Sequence, residues 1–147
     1  MNKFMMQVRQ RDQLEGREPW VRVDWAREVI AFRVHIFDKR RQAYQDIDFF
    51  IDTRPMNTGG DPIVRSPRAN RHTPRGHENH MYNDHSCCLG INLRRMDLCE
   101  ILRRCEAWAG GIITYEYGGH FPDFTEVFAR PRRPARTSGG IFQRIFG

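Results

Sequence analysis

Lysine is almost missing from this chain. Of the 24 lysine and arginine side chains in 147 residues, only Lys3 and Lys39 are lysines. The formal net charge of +6 is therefore an arginine charge. That bias fits a solvated face and an arginine-rich genome at least as well as a basic docking surface. No segment interleaves aromatic residues with arginines, as a stacking platform for single-stranded nucleic acid requires, so nucleic acid is not expected as a partner. Apolar runs are short, and none nears the roughly 18 residues of a membrane span, so no membrane partner is expected either. The opening "MNKFMMQVRQRDQ" has no apolar core of a signal peptide. The chain also lacks a C-x2-C pair and any internal repeat. Its four cysteines, Cys87, Cys88, Cys99 and Cys105, read as reduced thiols of a cytoplasmic protein.

What is present is patterned. "NKFMMQVRQRDQLEG" reads as an opening helix with Phe4, Met5, Val8 and Leu14 near helical spacing and Gly16 as its stop. "PWVRVDW", "EVIAFRVHIF" and "AYQDIDFFID" alternate as half-buried strands do, with "DKRRQ" as a turn between the last two. An antiparallel meander after a helix is the simplest architecture. From Thr53 to His77 the chain carries Pro55, Pro62, Pro67 and Pro74, each without a backbone donor, which predicts a long loop. "RRMDLCEILRRCEAW" then predicts an amphipathic helix with Leu98, Ile101, Leu102, Cys105 and Trp108 on one stripe, and Arg103, Arg104 and Glu106 off it. Cys99 and Cys105 read as small buried hydrophobes. "GGIITYEYGGHFPDF" fits either a continuation of that helix or a short strand. The fold class is α+β, with one domain over residues 1–128. Residues 129–147 form an arginine-, proline- and glycine-rich tail ending in Ile141, Phe142, Ile145 and Phe146, an apolar motif suited to packing back or to a partner's groove.

The chemistry concentrates in "HENHMYNDHSCCLGI", residues 77–91. Three readings compete there. His72, His77, His80, His85, Cys87 and Cys88 are zinc-ligand types, but their spacing matches no zinc pattern, and adjacent cysteines point poorly at one ion. No metal or other cofactor is therefore expected. A loop with exposed histidines and tucked-in cysteines is the bland alternative. The third reading is a nucleophile: a thiolate attacks where a thiol hardly does, and imidazole or guanidinium neighbours favour the thiolate.

A resemblance bears on this choice. "NHMYNDHSCCLGI" resembles the active-site segment of ubiquitin-conjugating enzymes, above all their bacterial branch, where the pattern runs H-P-H-[VM]-Y-x-D-G-x-x-C-L. Aligned on Cys88 and Leu89, the second histidine falls on His80, with Tyr82 and Asp84 also in place. Glu78, Asn79 and His85 stand where the pattern has histidine, proline and glycine. More loosely, residues 1–128 follow that family's order of helix, meander, proline-rich loop, cysteine and a helix carrying Trp108. "GGHFP" is similar to the G-x-[WF]-P that closes several bacterial members.

The resemblance implies a UBC-like fold and an enzyme that carries a ubiquitin-like modifier as a thioester on Cys88 and passes it to an amine. It implies an activating enzyme as a partner, a deubiquitinase-like peptidase as a further one, and for some bacterial members a place in antiviral defence. Each transfer passes through an oxyanion beside the sulfur, where one fixed donor is worth roughly 3 to 4 kcal/mol. His80 is the candidate donor, or else it pins the loop through a backbone hydrogen bond; Asn79 takes the task if the register shifts by one. Tyr82, Asp84 and His85 are candidate supports. Arg9 and Arg11 on the opening helix are candidate contacts for the activating enzyme. Since successive side chains of an extended segment point to opposite sides, only one of Cys87 and Cys88 should face the cleft, and the resemblance selects Cys88.

Overall fold

The alternation in the first half of the chain becomes a sheet whose every neighbour in sequence is a neighbour in space. In the computed structural model, which describes residues 1–69, 80–82 and 84–122, helix α1 (Lys3–Gln10) precedes strands β1 (Val21–Asp24), β2 (Val29–Asp38), β3 (Ala43–Asp52) and β4 (Ile63–Arg65), and helix α2 (Leu98–Gly118) follows. The strands pair antiparallel in the order β1-β2-β3-β4. The architecture is α+β. The expected boundary near residue 128, and the tail with Ile141, Phe142, Ile145 and Phe146, lie outside the described residues.

Period-2 alternation sorts the sheet into two faces. Ile30, Phe32, Val34 and Ile36 from β2 point inward with Ile47, Phe49 and Ile51 from β3 and Val64 from β4. The register sets Phe32 opposite Phe49 and Val34 opposite Ile47. Against this face lies α2, which buries Leu98, Ile101, Leu102, Cys105, Trp108, Ala109 and Ile112. The Trp108 ring meets Phe49 edge-on, with centroids 5.7 Å apart and planes at 83°. Full burial of each such aromatic stabilises the fold by about 2–3 kcal/mol.

The opening helix is shorter than its sequence pattern predicts. It ends at Gln10, and Arg11 takes a left-handed φ of 63° with its N–H on the Gln7 carbonyl. The reason lies in the phase: after Phe4, Met5 and Val8 the next inward positions would be Arg11 and Asp12, so the helix has no further face to bury. Leu14 still reaches the core, but from the loop. Asn2 caps the helix, accepting from the Met5 amide, while its amide group donates to the Thr53 hydroxyl at 2.8 Å.

Two further differences have physical causes. The region from Thr53 is not loop alone, because Ile63–Arg65 adds a strand to β3 directly after Pro62, and Arg54–Thr58 forms a 3-10 turn. Three residues are too few to display a period. The glycine pair after Trp108 does not stop α2, which runs on to Gly118. Gly110 and Gly111 are buried within it, so packing outweighs the roughly 1 kcal/mol that each glycine costs a helix.

Glu106, expected off the apolar stripe, is fully buried. Its two oxygens accept from Arg17 at 2.6 and 3.1 Å, a bidentate pair that ties the segment after α1 to α2. Burial pushes the Glu106 carboxyl up, against the opposing pull of Arg17. Removing one partner of a buried pair strands the other and costs about 3–5 kcal/mol. Arg17→Met should accordingly lower the Tm by roughly 10 °C, while Arg17→Met combined with Glu106→Leu should recover most of the loss. Thermal unfolding followed by circular dichroism checks both, and an additive double variant would contradict the pairing.

Candidate active site around Cys88

A short return of the chain holds the candidate nucleophile. Met81 bridges Cys87 antiparallel. Between them the Tyr82 amide donates to the Ser86 carbonyl at 2.9 Å and the His85 amide to the Tyr82 carbonyl at 3.0 Å. The Cys87 amide donates at 2.7 Å to the Val64 carbonyl of β4, so the strand that the sequence concealed is what seats the cysteine pair.

Asp84 organises this turn. One carboxylate oxygen accepts from the Ser86 amide at 2.9 Å and the Ser86 hydroxyl at 2.6 Å. Arg65 donates to the Asp84 carbonyl at 2.8 Å and to its other carboxylate oxygen at 3.3 Å. The Ser86 hydrogen bonds hold the Asp84 carboxyl below its ordinary range. Asp84 is thus an ionised turn-former with its acceptors occupied, which leaves little of it for proton transfer. His85 sits at a φ of 66°, a left-handed conformation that costs a residue with a Cβ about 1 kcal/mol and a glycine almost nothing. Its Nδ1 is buried without a hydrogen-bond partner among the described residues.

The two cysteines differ in their surroundings. Cys87 belongs to the core cluster, and burial pushes its thiol well above the usual range. Cys88 stands outside that cluster, although only 5% of it is exposed. Near it lies Tyr82, whose hydroxyl donates to the Gly90 carbonyl at 3.3 Å. Burial first, then the hydrogen bond and charge of Cys88, push the Tyr82 phenol up to about 12. At neutral pH it keeps its proton, and is a donor rather than a base.

His80 has φ 51°, and its carbonyl is a junction. It accepts from the Cys88 amide at 2.9 Å and from the Trp108 indole N–H at 3.0 Å. The His80 backbone thus ties the turn to α2. Its ring faces Phe121 at a centroid distance of 6.0 Å. Arg9 and Arg11 are exposed on α1 and at its end. His72, His77 and Asn79 lie outside the described residues. Among the described residues no group of three or more histidine, cysteine, aspartate or glutamate side chains is arranged to hold a metal, and no helix is long and apolar enough to cross a membrane.

Sequence reasoning missed the supports. Val64 and Arg65 of β4 hold the turn, Arg94 pins Asp61 through its amide and guanidinium at 3.1 and 2.9 Å, and Arg104 of α2 grips the Leu89 carbonyl at 2.6 Å. The three residues of β4 offered no periodic signal for the first of these. Elsewhere, the outer face of the sheet stacks His35 between Trp20 and Tyr44, at 5.3 and 4.3 Å, beside a depression of about 320 Å³ lined by Pro19, Trp20, Arg22, Arg33 and Phe50 among others. Its lining includes no cysteine, serine or histidine. Comparison with protein-family models, with curated proteins and with solved structures gives no match for this chain.

The Tyr82–Cys88 contact makes a signed prediction. A phenol whose protonated form is favoured by the fold adds stability that is present below pH ~10 and is lost as pH rises through its folded value of about 12. Phenolate absorbance read directly after a pH jump, as wild type minus Tyr82→Phe, should titrate with a midpoint near 12. In Cys88→Ser that midpoint should fall toward the ordinary value of about 10. A wild-type midpoint already at the ordinary value would remove the contact.

Proposed function

We propose that this chain is a ubiquitin-conjugating-type transferase with a UBC-like fold, which carries a ubiquitin-like modifier on Cys88. The observation that carries the reading is the setting of that thiol. Of the adjacent pair it is the cysteine outside the core cluster, and it ends a turn whose backbone is fixed on both sides. The element order of helix, four-strand meander, cysteine turn and long helix is what that family would need. His85 supports the same register, since it occupies with a left-handed φ the position where the resembling pattern has glycine.

In this reading the Cys88 thiolate attacks the thioester carbonyl by which an activating enzyme holds the modifier. A new S–C bond forms, the old one breaks, and the activating enzyme's sulfur leaves as thiolate. An acceptor amine then attacks the Cys88 thioester and loses a proton to base, forming an amide and freeing Cys88. The Tyr82 hydroxyl donates to the sulfur whenever it bears charge, and the His80 imidazole is the candidate donor to the oxyanion. Arg9 and Arg11 are the candidate contacts for the activating enzyme. A deubiquitinase-like peptidase would reverse the product, and the pathway would be a bacterial one of the kind that includes antiviral defence.

A second reading, a non-catalytic binding module of the same fold, is favoured by one observation: only 5% of Cys88 is exposed. One experiment divides the two. The purified protein, the activating enzyme and modifier encoded beside its gene, and ATP are mixed and separated with and without reductant. The transferase reading expects a reductant-sensitive adduct that disappears in Cys88→Ala and persists in Cys87→Ala. An active activating enzyme that leaves no adduct would favour the binding module, and an adduct following Cys87 would move the nucleophile by one residue.

A further inference from the structure

The sheet ends in a strand with one open side. β1 pairs with β2, and among the described residues no strand pairs with its other side. Such an edge offers amides and carbonyls to any extended backbone that can align with it. β1 is short and charged, which blunts an edge against most partners. The order of its residues suits one partner in particular.

Val21 and Val23 are half-buried against the core, while Arg22 and Asp24 are exposed. The Val21 N–H is taken by the Glu18 carbonyl. Backbone groups of a strand alternate in direction, so Val23, two residues on, also turns its N–H and C=O away from β2. Arg22 and Asp24 turn theirs toward it. The Arg22 guanidinium has no hydrogen bond or ion pair among the described residues. Asp24 takes the Arg27 amide on one oxygen at 3.0 Å, and its other oxygen stands 3.9 Å from the Arg27 Nε.

We propose that β1 is a homodimer interface, in which two copies of this chain pair their β1 strands antiparallel about a two-fold axis at Val23. About that axis Val23 faces Val23 of the partner subunit, Arg22 faces Asp24 of the partner subunit, and Asp24 faces the partner's Arg22. Val21 meets Trp25 of the partner subunit, a residue that is 49% exposed in the single chain. Moving the axis by one residue sets Arg22 against Arg22, or Asp24 against Asp24, and like charges directly opposed are destabilising. One register alone satisfies both charges, the apolar pairs and the outward backbone of Val23.

The contact is isologous, so it closes as a dimer. The far edge of the sheet gives no second site at Val64, whose carbonyl already accepts from the Cys87 amide. Strand pairing covers far less than the roughly 1,200 Å² of a tight complex, so the dimer is weak and depends on concentration. The pairing is independent of any chemistry at Cys88.

Sedimentation equilibrium of the full chain, from micromolar to millimolar, should show the mass climbing from 17.5 kDa toward twice that. A constant monomer mass across the range would overturn the proposal. Arg22→Glu makes the edge wholly acidic, and Asp24→Arg makes it wholly basic. Each alone should weaken self-association about tenfold or more, since two opposite-charge pairs become two like-charge pairs. Mixed in equal amounts the two variants should associate again, because each offers the other's complement at both positions. A variant that merely unfolds cannot regain a partner in this way. If both are folded by circular dichroism and the mixture stays monomeric, the register is wrong.

Two readouts address the backbone. Val23→Pro removes a donor from the outer edge and none from the β2 ladder, so it should keep the fold and abolish the dimer. A dimer that survives it lies elsewhere on the molecule. Hydrogen exchange at the Val23 amide should be fast in dilute protein and slow in concentrated protein, with Arg22 and Asp24 protected in both. Protection of Val23 at every concentration would mean that the chain covers its own edge, and would equally end the proposal.

Discussion

A helix buried along most of its length cannot leave its polar groups unpartnered, and that constraint organises the molecule. The middle of α2 lies wholly inside, against the sheet. Every donor or charge it carries there must find a partner within the protein or cost several kcal/mol. Glu106 finds Arg17, Trp108 finds the His80 carbonyl, and at its edge Arg104 finds the Leu89 carbonyl. Two of those three partners belong to the cysteine turn. The core and the candidate site are therefore held by the same helix, and a change on α2 that leaves packing intact can still be felt at Cys88.

The sheet contributes from the other side. The short β4 offers Val64 as an acceptor to Cys87 and Arg65 as a donor to Asp84. The turn is thus clamped between a strand edge and a helix, which allows two residues, His80 and His85, to hold left-handed backbone that neither side chain favours. Strain of this kind persists only where the surroundings over-determine it. Here the surroundings are Asp84 with its Ser86 bonds and the paired amides on either side.

How much of this could be read from the residues depends on how far each signal extends. β2 and β3 are ten residues each, with alternating burial along all of β2 and over the second half of β3, and their period announces them. The stripe of Leu98, Ile101, Leu102, Cys105 and Trp108 does the same for α2. β4 is three residues after a proline, and Arg11 ends α1 by a backbone conformation that arginine rarely adopts, so neither leaves a periodic trace. Glu106 and Arg17 are 89 positions apart. Nothing local marks a charged residue as buried when its partner comes from another element. That only one of the adjacent cysteines, Cys87, joins the core cluster is in keeping with an extended segment. The Tyr82 hydroxyl on the Gly90 carbonyl, and Arg104 on the Leu89 carbonyl, needed the folded chain.

The seating of the paired cysteines has an asymmetric consequence for the length of the turn. Cys87 is fixed by Val64 and Cys88 by His80, so the positions are set in space and the chain threads through them. Insert one residue between Tyr82 and Ser86, and the place now held by Cys88 passes to Cys87, so a thiol still stands beside Tyr82. Delete one, and that place passes to Leu89, and the turn is left without sulfur at its outer position. Doubling the cysteine thus keeps a thiol at that place when the turn lengthens and offers nothing when it shortens.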